Sequence, residues 1–217
     1  MQPRRALLLG ATGLVGSELL RLLLDDPGFG PIRVLARRST GVAHPKLEEH
    51  LLDLDRMNEH PELFAVDTIF CALGTTIKIA GSQDAFRRVD HDYPIAAAKL
   101  GLAQGARHYL LVSSLGANAN SRIFYNRVKG EVERDLSALP YPSITIARPS
   151  LLLGPRTEFR LGERVAARFG WLMPPGLRPI EARDVARALV AAAMVAGGRQ
   201  QASGVHILES RAMRTWR

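Results

Sequence analysis

Leu7-Leu8-Leu9-Gly10-Ala11-Thr12-Gly13-Leu14-Val15-Gly16 is an apolar strand that runs into a glycine turn and opens directly onto a helical pattern. Gly10 permits a tight turn, Gly13 lets backbone N–H groups approach a phosphate with no Cβ in the way, and Gly16 lets the helix lie close to the strand. A glycine triplet alone says little, and its context gives it meaning. Ala6 to Leu9 reads as a buried strand, while Leu14, Leu19, Leu20, Leu22, Leu23 and Leu24 give the following helix a broad apolar face. Together they predict a cradle for a dinucleotide pyrophosphate, with Gly10, Thr12, Gly13, Leu14, Val15 and Gly16 as its contacts. The plainer alternative is a tight strand-to-helix turn and nothing more.

Strand and helix patterns alternate along the rest of the chain. Ile32 to Ala36 reads as a second strand, Leu51-Leu52 ends a short third one, and Asp67 to Cys71 is a fourth. A helical stretch from Gln83 to Leu102 leads to a strand at His108 to Val112, a helix from about Arg122 to Leu139 and a strand at Ser143 to Ala147. The remainder predicts a helix near Glu163 to Phe169, a loop at Met173-Pro174-Pro175-Gly176, a helix at Ala182 to Ala196 and a last strand at Val205 to Leu208. Repeated strand–helix units predict an α/β fold, a doubly wound parallel sheet with helices on both faces and ligands at the carboxyl ends of its strands. A single domain over 1–217 is expected, with the residues after about 154 forming a small C-terminal lobe on the substrate side.

Composition narrows the classes further. The 217 residues, 47% hydrophobic and 23% charged, suffice for one good core with a small appended lobe. The single cysteine, Cys71, excludes an internal disulfide, and no His/Cys cluster has metal-ligand spacing, so a reducing cytoplasm and no metal are expected. Arg4-Arg5 before an apolar stretch imitates a secretory signal, but that stretch is itself the strand and turn. No run approaches the ~20 apolar residues of a membrane span, so no membrane partner is expected. A net charge of +8 invites a polyanion, yet the basic residues are dispersed and only 6% of residues are aromatic, which argues against nucleic acid. Arg160, Arg164 and Arg168, at four-residue spacing, read as a solvated helix face.

The end of the second strand bears on cofactor choice. NAD-selective cradles place a carboxylate there to bond the adenosine ribose, whereas this chain has Arg37-Arg38. Two guanidiniums suit a 2′-phosphate through fork-shaped, charge-assisted hydrogen bonds, which favours NADP(H) over NAD(H). Against this, one of the two reads equally as a solvated strand end. Asp53 and Leu54 close the third strand, where a carboxylate can accept from the adenine amino group and an apolar neighbour can pack on the ring; a simple turn is the alternative. Cys71, Ala72, Leu73 and Gly74 end the fourth strand with residues that allow close backbone approach to the cofactor, Cys71 itself reading as a packing residue rather than a nucleophile.

Ser113-Ser114 ends the fifth strand, and Tyr125-Asn126-Arg127-Val128-Lys129 follows. Tyrosine and lysine four apart share a helix face, so the ammonium can stabilise the phenolate and bring a group that titrates near ~10 into useful range. A serine hydroxyl would polarise a substrate carbonyl, the tyrosine would deliver the proton, and a nicotinamide would supply hydride.

On these residues, together with Arg88-Val89-Asp90-His91-Asp92-Tyr93, Gly116-Ala117, Gly130-Glu131-Val132 and Arg148-Pro149, the chain resembles the atypical short-chain dehydrogenase/reductases. Within that superfamily it is similar to the group of small NAD(P)-binding proteins that includes the HIV Tat-interacting protein and its bacterial relatives. The resemblance implies a Rossmann-type fold, NADP(H) binding and a Ser/Tyr/Lys site at Ser113 or Ser114, Tyr125 and Lys129, with Ser114 favoured as catalytic and Ser113, Tyr125 and Lys129 also beside the cofactor. It implies that Pro149 and Leu151 border the nicotinamide and that Val89 lies on the adenine side. Many members carry an asparagine in the central helix for proton relay; here the nearest residue is Asp90, which when ionised accepts but does not donate. The expected activity is NADP(H)-dependent oxidoreduction of a small carbonyl or alcohol by a monomer or homodimer. The alternative is a non-catalytic NADP(H)-binding redox sensor or adaptor.

Overall fold

A computed structural model describes residues 3–153, 178–196 and 203–215. In chain order the elements are β1 (Arg4–Leu9), α1 (Leu14–Asp25), β2 (Phe29–Ala36), β3 (Leu47–Leu51), β4 (Thr68–Cys71), α2 (Ile77–Ala80), α3 (Gln83–Arg87), α4 (Tyr93–Ala103) and β5 (His108–Val112). They continue with α5 (Phe124–Ser137), β6 (Ser143–Arg148), β7 (Leu152–Leu153), β8 (Ile180–Glu181), α6 (Ala182–Ala196), β9 (Gly204–Glu209) and α7 (Ser210–Met213).

Seven strands form one sheet in the order β3-β2-β1-β4-β5-β6-β9, every pairing parallel. The chain starts at β1, near the middle, winds out through β2 to β3, returns to β4 and winds out the other way. This is the Rossmann-type architecture, and its switch point lies between β1 and β4, the place where open sheets of this kind receive ligands at the carboxyl ends of their strands. The central strands read as continuous apolar runs because both faces are covered. Leu8, Phe70, Leu110 and Ala147 face one core with α1 and α6, while Leu7, Leu9, Ile69, Cys71, Leu111 and Ile146 face the other with α4 and α5. Beside the main sheet, β7 and β8 make a short parallel pair.

The helical stretch expected from Gln83 to Leu102 is interrupted. Between α3 and α4, residues Arg88–Asp92 form a wider π-type turn, in which the Tyr93 N–H reaches the Arg88 carbonyl. Pro94, which has no N–H to give to the Asp90 carbonyl, stands immediately after it. Two 3-10 turns, Leu54–Glu59 and Pro61–Phe64, and the single helical turn α2 carry no periodic signal that could be read beforehand. The expected helix near Glu163 to Phe169, the arginines at 160, 164 and 168, the loop at 173–176 and most of the expected C-terminal lobe lie outside the described residues. Among the described residues no helix is long and apolar enough to cross a membrane.

Candidate active site

The glycine turn is as tight as its sequence requires. Gly10 has φ +83°, and a Cβ there would stand 2.5 Å from the Ala72 carbonyl oxygen. A Cβ on Gly16 would lie 1.9 Å from the Gly10 carbonyl oxygen, so α1 can reach β1 only with glycine at that position. The α1 N-terminus is open: Gly13 caps it without a side chain, and Thr12 and Gly13 are exposed. Leu14 is half-buried and Val15 is packed in the core, so Val15 can reach a ligand only through its backbone. First-turn N–H groups at a helix of this length are unsatisfied donors with the dipole behind them, and they fit a pyrophosphate.

At the end of β2, Arg37 and Arg38 are exposed and have no ion pair or hydrogen bond among the described residues. The loop behind them is fastened to β3 by Glu49. That carboxylate accepts from the Ser39 and Thr40 hydroxyls, each at 2.6 Å, and from the Thr40 N–H at 2.7 Å. The Ser39 bond, followed by those from Thr40, holds its acid form below the usual carboxylate range. Glu49 was not visible as a site residue in the sequence; its signal is an acid placed opposite two hydroxyls that follow a strand end. Asp53 is exposed and accepts the Asp55 N–H at 3.1 Å, capping the turn that buries Leu54. Tyr93 donates to Asp55 at 2.7 Å, and burial followed by that bond pushes the phenol up to about 12. Val89, on the turn before α4, is half-buried.

The buried stripe of α5 contains two charged residues, Lys129 and Glu133, among Val128, Gly130, Val132 and Leu136. Each charge is tolerated because it has a partner. Lys129 Nζ lies 2.8 Å from Asp90 Oδ1, both side chains being at most 5% exposed. Burial opposes the ammonium, but the Asp90 carboxylate and Tyr125 more than offset it, so Lys129 is held above its ordinary range. The other Asp90 oxygen accepts the Thr75 N–H at 2.9 Å, tying the segment after β4 to the same pair. Tyr125 packs on Phe86 of α3, ring centroids 5.6 Å apart. Burial pushes the Cys71 thiol up, which suits a packing residue. Ala72 and Leu73 are half-buried beside it, and Gly74 is exposed.

The two serines separate. Ser113 is buried and donates to Glu133, which also accepts from Arg148 Nε at 3.1 Å; any cofactor contact at Ser113 would run through its backbone. Ser114 is half-buried, and its hydroxyl bonds the neighbouring Leu115 carbonyl at 3.2 Å. The loop that follows is drawn onto α5 at Gly130, where a Cβ would meet the Ala119 nitrogen at 2.0 Å. Leu115 N–H bonds the Pro149 carbonyl at 2.8 Å, placing the Ser114 segment beside buried Pro149, with Leu151 exposed two residues on. The sequence reading missed Glu133, although it lies one helical turn after Lys129 on the same face.

Residues 5–86 match the family model described as semialdehyde dehydrogenase, NAD binding domain. The chain is 36% identical over 178 residues to protein HTATIP2 of Rattus norvegicus, covering 80% of this chain and 73% of that protein. It is 34% identical over 215 residues to protein FMP52, mitochondrial, of Eremothecium gossypii, covering 94% and 93%. Among solved structures, the Bordetella bronchiseptica enzyme WbmG in complex with NAD superposes with a TM-score of 0.71 at 16% identity, over 96% of this chain and 73% of that one. The expectation of a cytoplasmic home is corrected by these relatives. The FMP52 proteins, similar over most of this length, are named mitochondrial, and a lone cysteine does not discriminate between two reducing compartments.

Proposed function

Because the chain belongs to the family of HTATIP2 and FMP52, atypical short-chain dehydrogenase/reductases, we propose that it is an NADP(H)-dependent oxidoreductase acting on a small carbonyl or alcohol. The observation that carries this reading is Lys129, buried and charged one helical turn from Tyr125. A protein that only binds nucleotide has no need of a tyrosine with an ammonium placed to stabilise its phenolate.

The first-turn N–H groups of Leu14, Val15 and Gly16 would hold the pyrophosphate, and Arg37 and Arg38 the 2′-phosphate. Asp53 and Leu54, with Val89, would border the adenine. The backbone of Cys71 to Gly74, with Ser113, Pro149 and Leu151, would wall the nicotinamide side. Bound NADPH would supply the hydride. Ser114 would donate a hydrogen bond to the substrate carbonyl and polarise it. Tyr125 would hand its proton to the carbonyl oxygen, and Lys129 would stabilise the phenolate left behind.

The test is a titration with NADPH and NADH side by side at one salt concentration. NADPH binds more tightly, and Arg37→Ser with Arg38→Ser lowers NADPH affinity by about tenfold or more while leaving NADH unchanged, since each hydrogen bond to a charged group is worth ~1.5–3 kcal/mol. Equal affinities in the parent protein remove the arginines from the site. Tyr125→Phe then abolishes carbonyl-dependent NADPH oxidation across aldehydes, ketones and quinones without loss of binding. Binding without turnover in the parent protein would favour the sensor reading instead.

A further inference from the structure

We propose that Glu49 is a positioning residue for cofactor choice: it fastens the loop that carries Arg37 and Arg38, so that both guanidiniums are held ready for a 2′-phosphate. The inference rests on the reading of those arginines as the 2′-phosphate contacts.

Both flanks of the arginine pair are tied down. On the incoming side Ala36 ends β2, and its carbonyl accepts the Leu52 N–H at 2.9 Å. On the outgoing side the Glu49 carboxylate accepts from the Ser39 and Thr40 hydroxyls at 2.6 Å each and from the Thr40 N–H at 2.7 Å. Only Arg37 and Arg38 stand between these fixed points, so their backbone has little freedom left. Glu49 lies on β3 opposite Val34, and Ala36 lies opposite Leu51, which means that the chain after Ala36 folds back along the sheet edge to reach Glu49. The turn is braced again where the Gly41 N–H meets Ser39 Oγ at 3.1 Å, with Gly41 at φ +72°. This fastened loop stands beside the glycine turn, because Leu35 of β2 pairs with Leu9, the residue before Gly10.

The sign of the effect follows from two opposed contributions. A carboxylate near a phosphate site is unfavourable on charge alone. Glu49, however, takes its hydrogen bonds from two hydroxyls and a backbone N–H, which leaves both guanidiniums to a ligand. A loop already in place loses less conformational entropy when it closes on a phosphate, and that gain depends on the fastening rather than on the charge. Its neighbour on β3, Glu48, points to the other face and pairs with Arg33 at 3.1 Å, so the strand itself is held without Glu49.

The test uses the full chain with adenosine 2′,5′-bisphosphate and 5′-AMP, which differ only in the 2′-phosphate, beside NADPH and NADH. Glu49→Ala removes the fastening, whereas Glu49→Gln keeps an acceptor oxygen and loses the charge. The alanine variant binds the bisphosphate and NADPH about tenfold more weakly and keeps 5′-AMP and NADH within about twofold of the parent. Without ligand, trypsin cuts it after Arg37 or Arg38 about tenfold faster, the site being identified by fragment mass. The glutamine variant stays within about threefold of the parent in both measurements. Phosphate binding that is unchanged or tighter in the alanine variant overturns the proposal, as does equal weakening of all four ligands or unchanged cleavage. A parent that binds the bisphosphate no better than 5′-AMP overturns the reading of the arginines, and this proposal with it; a parent with that preference and an alanine variant that retains it overturns this proposal alone.

Discussion

His108, at the start of β5, gives the sheet a pH-dependent stability that can be calculated and checked. It is 4% exposed; its Nε2 meets the Thr145 hydroxyl at 2.9 Å, and its Nδ1 has no hydrogen-bond partner among the described residues. Burial, then Arg4 and then His206 lower it from 6.5 to about 4. A histidine depressed in the folded state favours folding while neutral, so its contribution is complete above pH 6.5 and is lost as pH falls toward 4. The full gap is worth roughly 3 kcal/mol, of which about 2.5 kcal/mol is gone by pH 4.5. In His108→Gln the amide can still reach Thr145 but takes up no proton. Urea unfolding of both proteins from pH 7.5 to 4.5 then shows the variant losing ~2–3 kcal/mol less than the parent over that interval. Parallel curves would mean that His108 is solvated or protonated in the folded protein, and the burial argument would fail.

Gly16→Ala places a methyl 1.9 Å from the Gly10 carbonyl oxygen, and α1 must move off the turn to admit it. The expected cost is ~1–3 kcal/mol in thermal or urea unfolding, with NADPH affinity reduced at least about tenfold because the first-turn N–H groups move with the helix. Unchanged affinity would dissociate the turn from cofactor binding. Glu133→Gln removes the charge that holds Arg148, leaving that guanidinium with Glu209 at 3.3 Å. A fully buried broken pair costs about 3–5 kcal/mol, and since Arg148 is a quarter exposed the loss should be nearer ~2 kcal/mol, read by denaturant midpoint. A variant that melts with the parent would show the network to be solvent-compensated.

What the sequence discloses and what it withholds divide along physical lines. The glycine turn is legible because most of its demands are local: a Cβ on Gly13 or Gly16 would meet the Gly10 carbonyl oxygen within the same strand, turn and helix, although Gly10 itself also answers to Ala72 after β4. The sheet is legible for the same reason, since strands covered on both faces are mostly apolar, as in Leu7 to Leu9 and Leu110 to Val112. The roles of Ser113 and Ser114 were left open, although strand alternation bears on them. Leu111 faces α5, so Ser113, two residues on, faces it too and meets Glu133. Asp90 was visible as an acid at a point where relay chemistry would want an amide. Its partner was not visible, because the ion pair spans α5 and a π-type turn that helical periodicity does not announce. A reading that assigns each residue to its own element finds Tyr125 and Lys129, four apart, and misses the carboxylate that the π-type turn brings against the Lys129 ammonium.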